Sequence, residues 1–443
     1  MTSTALMTDH YELTMLQAAL RSDTAQRRAV FELFGRRLPE GRRFGVVAGT
    51  GRALDAVERF RFDDEVLATL QEGHVVDGPT LEWLSQYRFS GDIWGYPEGE
   101  VYFPGSPLLV VESTFAEAIL LETVLLSIYN HDSAIAAAAS RMVMAAGDRP
   151  CIEMGSRRTH EEAAIASARA AYLAGFASSS NLAARQRHGI PTAGTSAHSF
   201  TLLHDNERDA FTAQVQSLGG DTTLLVDTYN VREAVAAGVE IAGTELGAVR
   251  LDSGDLTVLA HQVRRQLDDL GATKTRIIVT SDLDEHAIGA LSAAPVDGYG
   301  VGTCLVTGSG HPTCGFVYKL VARGGSAPED PMVSVAKTSV GKVSVGGRKW
   351  AMRRLDPHDV AAAEVIGIGR RPQGDSNDRD LMVPLVRSGE IVGREPLEVA
   401  RNRHRQARDE LPMVAHQMSR GEAAIPTLYV GDDRHVAGTA YDR

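Results

Sequence analysis

Between residues 151 and 301 one pattern recurs: a short apolar run, a polar or charged end, then a helix-like stretch. The runs are Cys151-Ile152-Glu153-Met154-Gly155, Ile190-Pro191-Thr192-Ala193, Thr223-Leu224-Leu225-Val226-Asp227, Ala248-Val249-Arg250-Leu251-Asp252, Arg276-Ile277-Ile278-Val279-Thr280 and Val296-Asp297-Gly298-Tyr299-Gly300-Val301. Strands apolar on both sides need cover on both faces, and interposed helices supply that cover when the strands run parallel. Thr159-His160-Glu161-Glu162 reads as a capping box before a helix over 163–176. Helices over 256–270 and 283–291 follow the same plan. Such a series predicts an α/β barrel or a doubly wound sheet. Polar residues gathered at the C-terminal strand ends favour the barrel.

The flanking segments have another rhythm. A helix opens at Asp9 and runs to about 20, strands are expected over 29–34 and 44–49, and an acidic helix over 55–70. From 89 to 115 alternation is punctuated by Gly95, Pro97, Gly99, Pro104, Gly105 and Pro107, which predicts antiparallel strands. Two helices follow, over 116–129 and 133–146. Alternation returns over 332–336, 342–352, 360–366 and 381–386, as strands that complete the N-terminal sheet. A helix over 397–410 stops before Pro412, and the tail from Gly431 reads as loose. The expected organisation is a sheet-containing α+β domain from 1–130 plus 320–400, an irregular α/β barrel over 131–319, and a C-terminal helix and tail over 401–443.

Charge narrows the partners. With 45 basic against 57 acidic residues the chain carries −12, which disfavours nucleic acid and anionic membranes. Cys151, Cys304 and Cys314 have no metal-ligand spacing and make no disulfide framework, so no structural metal and a reducing, cytoplasmic setting are expected. Asp9, His10 and Glu12 stand where a signal peptide would be apolar, and no run reaches the ~18 apolar residues of a membrane span.

The chemistry collects at the strand ends. His198, within Gly194-Thr195-Ser196-Ala197-His198-Ser199, should sit just past a strand among small hydroxyls, where an imidazole can exchange protons or attack phosphorus. Gly298-Tyr299-Gly300-Val301-Gly302-Thr303 offers backbone N–H groups to a phosphate, and Ser253, Gly254 and Ser281 add small donors. Asp252 and Asp255 suit ribose hydroxyls or a Mg²⁺ on pyrophosphate. Arg157 and Arg158 suit bidentate recognition of phosphate or carboxylate, and Arg250, inside an apolar run, requires a partner or a ligand. Each feature has a structural alternative: a tight turn, a solvated helix start, an N-cap. Their coincidence at four strand ends is the functional signal. No Walker A loop, dinucleotide-binding glycine fingerprint, Gly-x-Ser-x-Gly elbow or zinc motif is present.

These residues resemble the nicotinate phosphoribosyltransferase family. The resemblance rests on Thr8-Asp9-His10-Tyr11-Glu12-Leu13-Thr14-Met15, Phe31-Glu32-Leu33-Phe34-Gly35-Arg36, Glu153-Met154-Gly155-Ser156-Arg157-Arg158, the His198 segment, Val249-Arg250-Leu251-Asp252-Ser253-Gly254-Asp255-Leu256 and Gly300-Val301-Gly302-Thr303. From Ser326 onward it is faint. It implies a homodimer with shared active sites that converts nicotinate and phosphoribosyl pyrophosphate to nicotinate mononucleotide, coupled to ATP hydrolysis with Mg²⁺. It further implies that His198 is transiently phosphorylated and that Tyr11 stacks on the pyridine ring in the neighbouring subunit's site. Thr195, Arg250 and Arg157 are implied nicotinate contacts; Arg158, Ser253, Gly254, Ser281, Gly300, Gly302 and Thr303 take phosphoribosyl or phosphate. Which of the paired arginines takes carboxylate stays open. The alternatives are a nicotinamide or quinolinate phosphoribosyltransferase, a sugar-phosphate lyase or isomerase using Lys319, and a non-catalytic metabolite-binding barrel.

Overall fold

Five of the six apolar runs form strands of one parallel sheet in the computed structural model, which describes residues 2–431 except 328 and 338–343. The order is Ser178–Ser179, Cys151–Glu153, Gly298–Val301, Arg276–Ser281, Ala248–Leu251, Thr223–Leu225. Every pairing in it is parallel. Val249, Leu251, Ile277 and Val279 are fully buried. Burying each such side chain contributes about 1.5–3 kcal/mol, so the all-apolar runs are what hold the sheet under its helices.

The Ile190 run is the exception. It is not a strand; Thr192 makes one parallel bridge to Ser179, through Ser179 N–H to Pro191 C=O at 3.0 Å and Ala193 N–H to Ser179 C=O at 3.1 Å. Pro191 has no N–H to extend that ladder, and the chain leaves it at once. The sheet is therefore open: among the described residues its edge strands, Ser178–Ser179 and Thr223–Leu225, do not pair with each other. The architecture is mixed α/β. The capping box also shifts by one, because the His160 ring, not Thr159, accepts from the Glu162 N–H at the start of Glu161–Leu173.

The chain divides into two compact units. One comprises Met1–Ala134 and the chain from Thr313 onward; the other is Ile135–Pro312 and contains the parallel sheet. The first unit holds a seven-stranded antiparallel sheet in which Phe316–Arg323 pairs with Arg28–Gly35, and Val383–Arg387 with Asp92–Gly95. A four-stranded sheet in the same unit pairs Lys349–Leu355 with Ala361–Ile368, which in turn takes Thr427–Val430 as a parallel neighbour. Residues 342 and 343 of the expected 342–352 strand, and the tail from 432, lie outside the described residues.

Two helices expected over 116–129 and 133–146 are instead Phe115–Ile119 and a 25-residue helix, Glu122–Ala146. Asn130, His131 and Asp132, weak helix formers that fall between the two expected spans, lie inside the long helix. Tertiary partners keep the helix intact: Asn130 Oδ1 accepts from the Phe316 N–H at 2.9 Å, and Asp132 takes Arg52 Nη1 at 2.7 Å.

His404, buried on the Leu397–Asp409 helix, shares a 3.1 Å hydrogen bond with the Gly99 carbonyl, and burial with the nearby Arg408 and Arg401 pulls its pKa down to about 4. The unfolded chain binds this proton at higher pH, so the neutral ring stabilises the fold fully above the ordinary histidine pKa. That contribution is lost as pH falls from about 6.5 toward 4. His404→Gln is expected to flatten the acid side of the unfolding-midpoint profile; an unchanged slope contradicts the assignment.

Candidate active site

His198 is the first residue of a five-residue helix, His198–Leu202, entered from extended backbone at Ala197. Its side chain is 41% exposed. Nδ1 lies 3.1 Å from Thr228 Oγ1, and Nε2 lies 4.0 Å from both Asp227 Oδ1 and Asp252 Oδ2. Thr228 engages one ring nitrogen and leaves the other facing two carboxylates. Those carboxylates arrive from the ends of the neighbouring Thr223–Leu225 and Ala248–Leu251 strands.

Asp227 is the inner of the two, its side chain 3% exposed. Its Oδ2 accepts from the Asp252 N–H and the Ser253 hydroxyl, both at 2.8 Å, which ties the two strand ends together. Its Oδ1 is buried with no donor among the described residues. Asp252 is more open and accepts from the Thr280 hydroxyl, a link to the Arg276–Ser281 strand. Asp255 caps the Leu256–Asp269 helix through the Val258 N–H at 3.1 Å, leaving its carboxylate exposed. Gly254 between them has φ +87°, the left-handed conformation that favours glycine.

Arg250 emerges from a strand whose other side chains are buried. Nη1 donates to Thr195 Oγ1 at 2.6 Å and to the Ser196 carbonyl at 3.2 Å, while Nε is buried without a partner. Burial lowers its pKa against the pull of Asp252 and Asp227, and Arg157 acts in the same direction as burial. That coupling brings Arg157 into the neighbourhood of Arg250. Arg158, next in the turn after Cys151–Glu153, is likewise exposed. The turn is supported from below by Glu153, which accepts from the Gly155 N–H and from Ser179 Oγ.

The glycine run divides. Gly300 is buried in its strand, and a Cβ there would lie 2.4 Å from Thr280 Cγ2 and 2.7 Å from Met154 Sδ. Packing against the neighbouring strands already requires glycine at that position. Gly302 is freer, with Met154 O at 3.4 Å as the nearest atom, and it opens the Thr303–Val306 helical turn. Ser281 is exposed at the end of its strand. Tyr11 belongs to the other unit, on the His10–Arg21 helix; the residue is 44% exposed, and partial burial with Glu122, Glu12 and Asp9 raises its pKa to about 12.

Sequence reading passed over Asp227 and Thr228 as site residues, although both stand at a strand end, the signal used elsewhere. Among the described residues there is no group of three or more His, Cys, Asp or Glu side chains able to hold a metal ion, and no helix long and apolar enough to cross a membrane. What the cluster offers is an accessible ring nitrogen flanked by carboxylates able to stabilise a cationic ring, a guanidinium aligned with a hydroxyl, and exposed small donors on the strand-end loops.

Comparison with known proteins gives three findings. The family model for the nicotinate phosphoribosyltransferase (NAPRTase) N-terminal domain matches residues 6–130. A nicotinate phosphoribosyltransferase of Mycobacterium tuberculosis is 56% identical over 95% of this chain and 94% of its own, and that of Bacillus subtilis 38% over 80% and 74%. The crystal structure of human nicotinic acid phosphoribosyltransferase superposes with a TM-score of 0.81 at 25% identity, covering 97% of this chain and 98% of that one.

Proposed function

The chain belongs to the nicotinate phosphoribosyltransferase family, and from that premise we propose that it transfers the 5-phosphoribosyl group from phosphoribosyl pyrophosphate to nicotinate. The products are nicotinate mononucleotide and pyrophosphate, a step of NAD synthesis, with ATP hydrolysed through a phosphohistidine at His198. The observation carrying the choice of acid is Arg250: a half-buried guanidinium whose Nη1 is aligned with the Thr195 hydroxyl and whose Nε lacks a partner. A pyridine carboxylate satisfies such a pair, whereas the neutral amide of nicotinamide returns no charge to it.

Nicotinate's ring nitrogen attacks C1′ as the C1′–O bond to pyrophosphate breaks, through an oxocarbenium-like state in which alignment and anion stabilisation dominate. Arg158, Ser253, Gly254, Ser281, Gly302 and Thr303 line the strand ends as donors for phosphate groups, Arg157 stands with Arg250 for the carboxylate, and Tyr11 stacks on the ring from a partner subunit. Its exposed ring supports that role and a homodimer with shared sites. In the coupled half-reaction the Nε2 lone pair of His198 attacks the γ-phosphorus of ATP and ADP departs. Nδ1 keeps its proton toward Thr228, and the carboxylates of Asp227 and Asp252 offset the ring's positive charge. Water later cleaves the N–P bond, returning His198 and phosphate. Asp252 and Asp255 present exposed carboxylate oxygens, a donor set that fits a Mg²⁺ keeping most of its waters. When bound, that ion would neutralise charge on the pyrophosphate. The parallel sheet, open at its edges, fits an incomplete and hence irregular barrel, and three free cysteines fit a cytoplasmic enzyme.

Arg250→Gln tests the acid preference. Loss of one charged hydrogen-bond partner costs about 1.5–3 kcal/mol, so the nicotinate KM should rise roughly 10- to 150-fold while that for phosphoribosyl pyrophosphate stays within a few-fold. Equal losses for both substrates make the residue a structural one. In wild type, nicotinate should raise the unfolding midpoint where nicotinamide and quinolinate do not.

A further inference from the structure

A cavity of about 680 Å³ opens on one face of the seven-stranded sheet, a volume in the range of small-molecule sites. It lies in the compact unit that does not contain His198. Its floor is a row of directly paired residues across four strands: Ser334 pairs with Ala322, Ala322 with Val30, and Val30 with Glu112. Directly paired residues share a face, so the small side chains of Ala322 and Val30 leave a depression between a hydroxyl and a carboxylate. Arg28 and Thr114, paired with each other two residues further along, belong to the same face. Arg348, just before the Lys349–Leu355 strand, and Ile368, at the end of the strand paired with it, line one wall.

The cations around that floor are incompletely matched. Arg348 donates Nε to Glu112 Oε1 at 2.9 Å and Nη1 to the Lys349 carbonyl at 2.6 Å, and its Cζ stands 3.3 Å from the centre of the Trp350 ring. Its Nη2 is buried with no acceptor among the described residues; the indole face attracts the cation but supplies no lone pair. Arg28 donates to the Asp330 backbone carbonyl and pairs with no carboxylate among the described residues. The charged residues lining the cavity are these two guanidiniums and Glu112, which leaves a surplus of one positive charge. We propose that the cavity is a second binding site, for a small organic monoanion whose carboxylate is taken by Arg28 and Arg348 and whose apolar body lies over Ala322, Val30 and Ile368. A carboxylate brings the lone pairs that a guanidinium fork takes, Nη2 being the prong without one. A phosphate dianion brings one charge more than the lining balances, beside Glu112, and a neutral ligand leaves Arg28 unmatched.

Trp350 makes the site readable, since the chain has three tryptophans and Arg348 stacks on this one. The probes are hexanoate and benzoate, one aliphatic and one aromatic monocarboxylate. Titrated into the intact protein, at least one should change tryptophan fluorescence saturably and raise the unfolding midpoint. Arg28→Gln removes an exposed cation whose bond is to a backbone carbonyl, so the variant should fold normally and bind the probe about tenfold more weakly or worse. Arg348→Lys keeps a cation beside Trp350 but loses the fork, and should weaken binding to a similar degree. Arg250→Gln, altered at the carboxylate contact proposed beside His198, should leave the fluorescence titration as it is in wild type. Equal affinities in wild type, Arg28→Gln and Arg348→Lys overturn the proposal. So does a response linear in both probes without saturation, which is a general salt effect. Loss of the titration in Arg250→Gln with none in the two cavity variants assigns the probe to the candidate active site and overturns it as well. No readout here involves turnover, so failure of the transferase reading leaves this test intact.

Discussion

His198→Ala is expected to abolish incorporation of an acid-labile, base-stable phosphate from γ-labelled ATP. Nδ1 is engaged by Thr228 and Nε2 faces Asp227 and Asp252, so the ring combines a fixed orientation with an accessible nucleophilic nitrogen. Asparagine or alanine there leaves both carboxylates in place and removes the only group the reading assigns to the phosphoryl. Coupling of this kind shifts an affinity by roughly 5- to 150-fold, so the ATP-dependent fall in the KM for phosphoribosyl pyrophosphate should vanish in the variant. Uncoupled transfer at saturating substrate should survive, because the contacts proposed for nicotinate and phosphate lie on other residues. Label persisting in His198→Ala removes the role assigned to this imidazole.

The largest effect on stability is expected from Arg353, fully buried in the Lys349–Leu355 strand. Its Nη2 donates to Glu364 Oε2 and to the Val101 carbonyl, each at 2.9 Å, and lies 3.8 Å from Glu100. Glu364 also accepts from the Tyr96 hydroxyl at 2.8 Å and from Ser106. Burial raises the Glu364 pKa even against the attraction of Arg353. Burial pushes Glu100 up as well, but Arg379 and Arg353 together hold it below its ordinary value. Removing one partner of a buried ion pair strands the other, at a cost of about 3–5 kcal/mol, so Arg353→Met should lower unfolding stability by that amount. Adding Glu364→Gln should restore much of the loss, since a neutral amide can still take the Tyr96 and Ser106 hydrogens. Denaturant unfolding measures both. A cost for Arg353→Met under about 1 kcal/mol, or no recovery in the double variant, rules the ion pair out as a structural necessity.

Much of the parallel sheet was legible because apolar runs hidden on both faces differ from runs that alternate. The failure was informative. Ile190-Pro191-Thr192-Ala193 is apolar enough for a strand, but a proline cannot extend the ladder and the segment makes a single bridge. The long Glu122–Ala146 helix was expected as two; the weak propensities of Asn130, His131 and Asp132 are local, whereas the partners that hold them in one helix, Phe316 and Arg52, are remote in sequence.

The candidate site divides in the same way. The chain alone put Arg250, Asp252, Ser253 and Asp255 at one strand end and His198 in a loop of small hydroxyls, because those facts are statements about neighbours along the sequence. It did not reveal that Asp227 reaches across to Asp252 and Ser253, that Thr228 engages the His198 ring, or that Gly300 is needed for packing against Met154 and Thr280. Those relations depend on strand order. Periodicity records which face of an element is apolar, whereas only the folded sheet decides which strand ends lie side by side and therefore which charges meet.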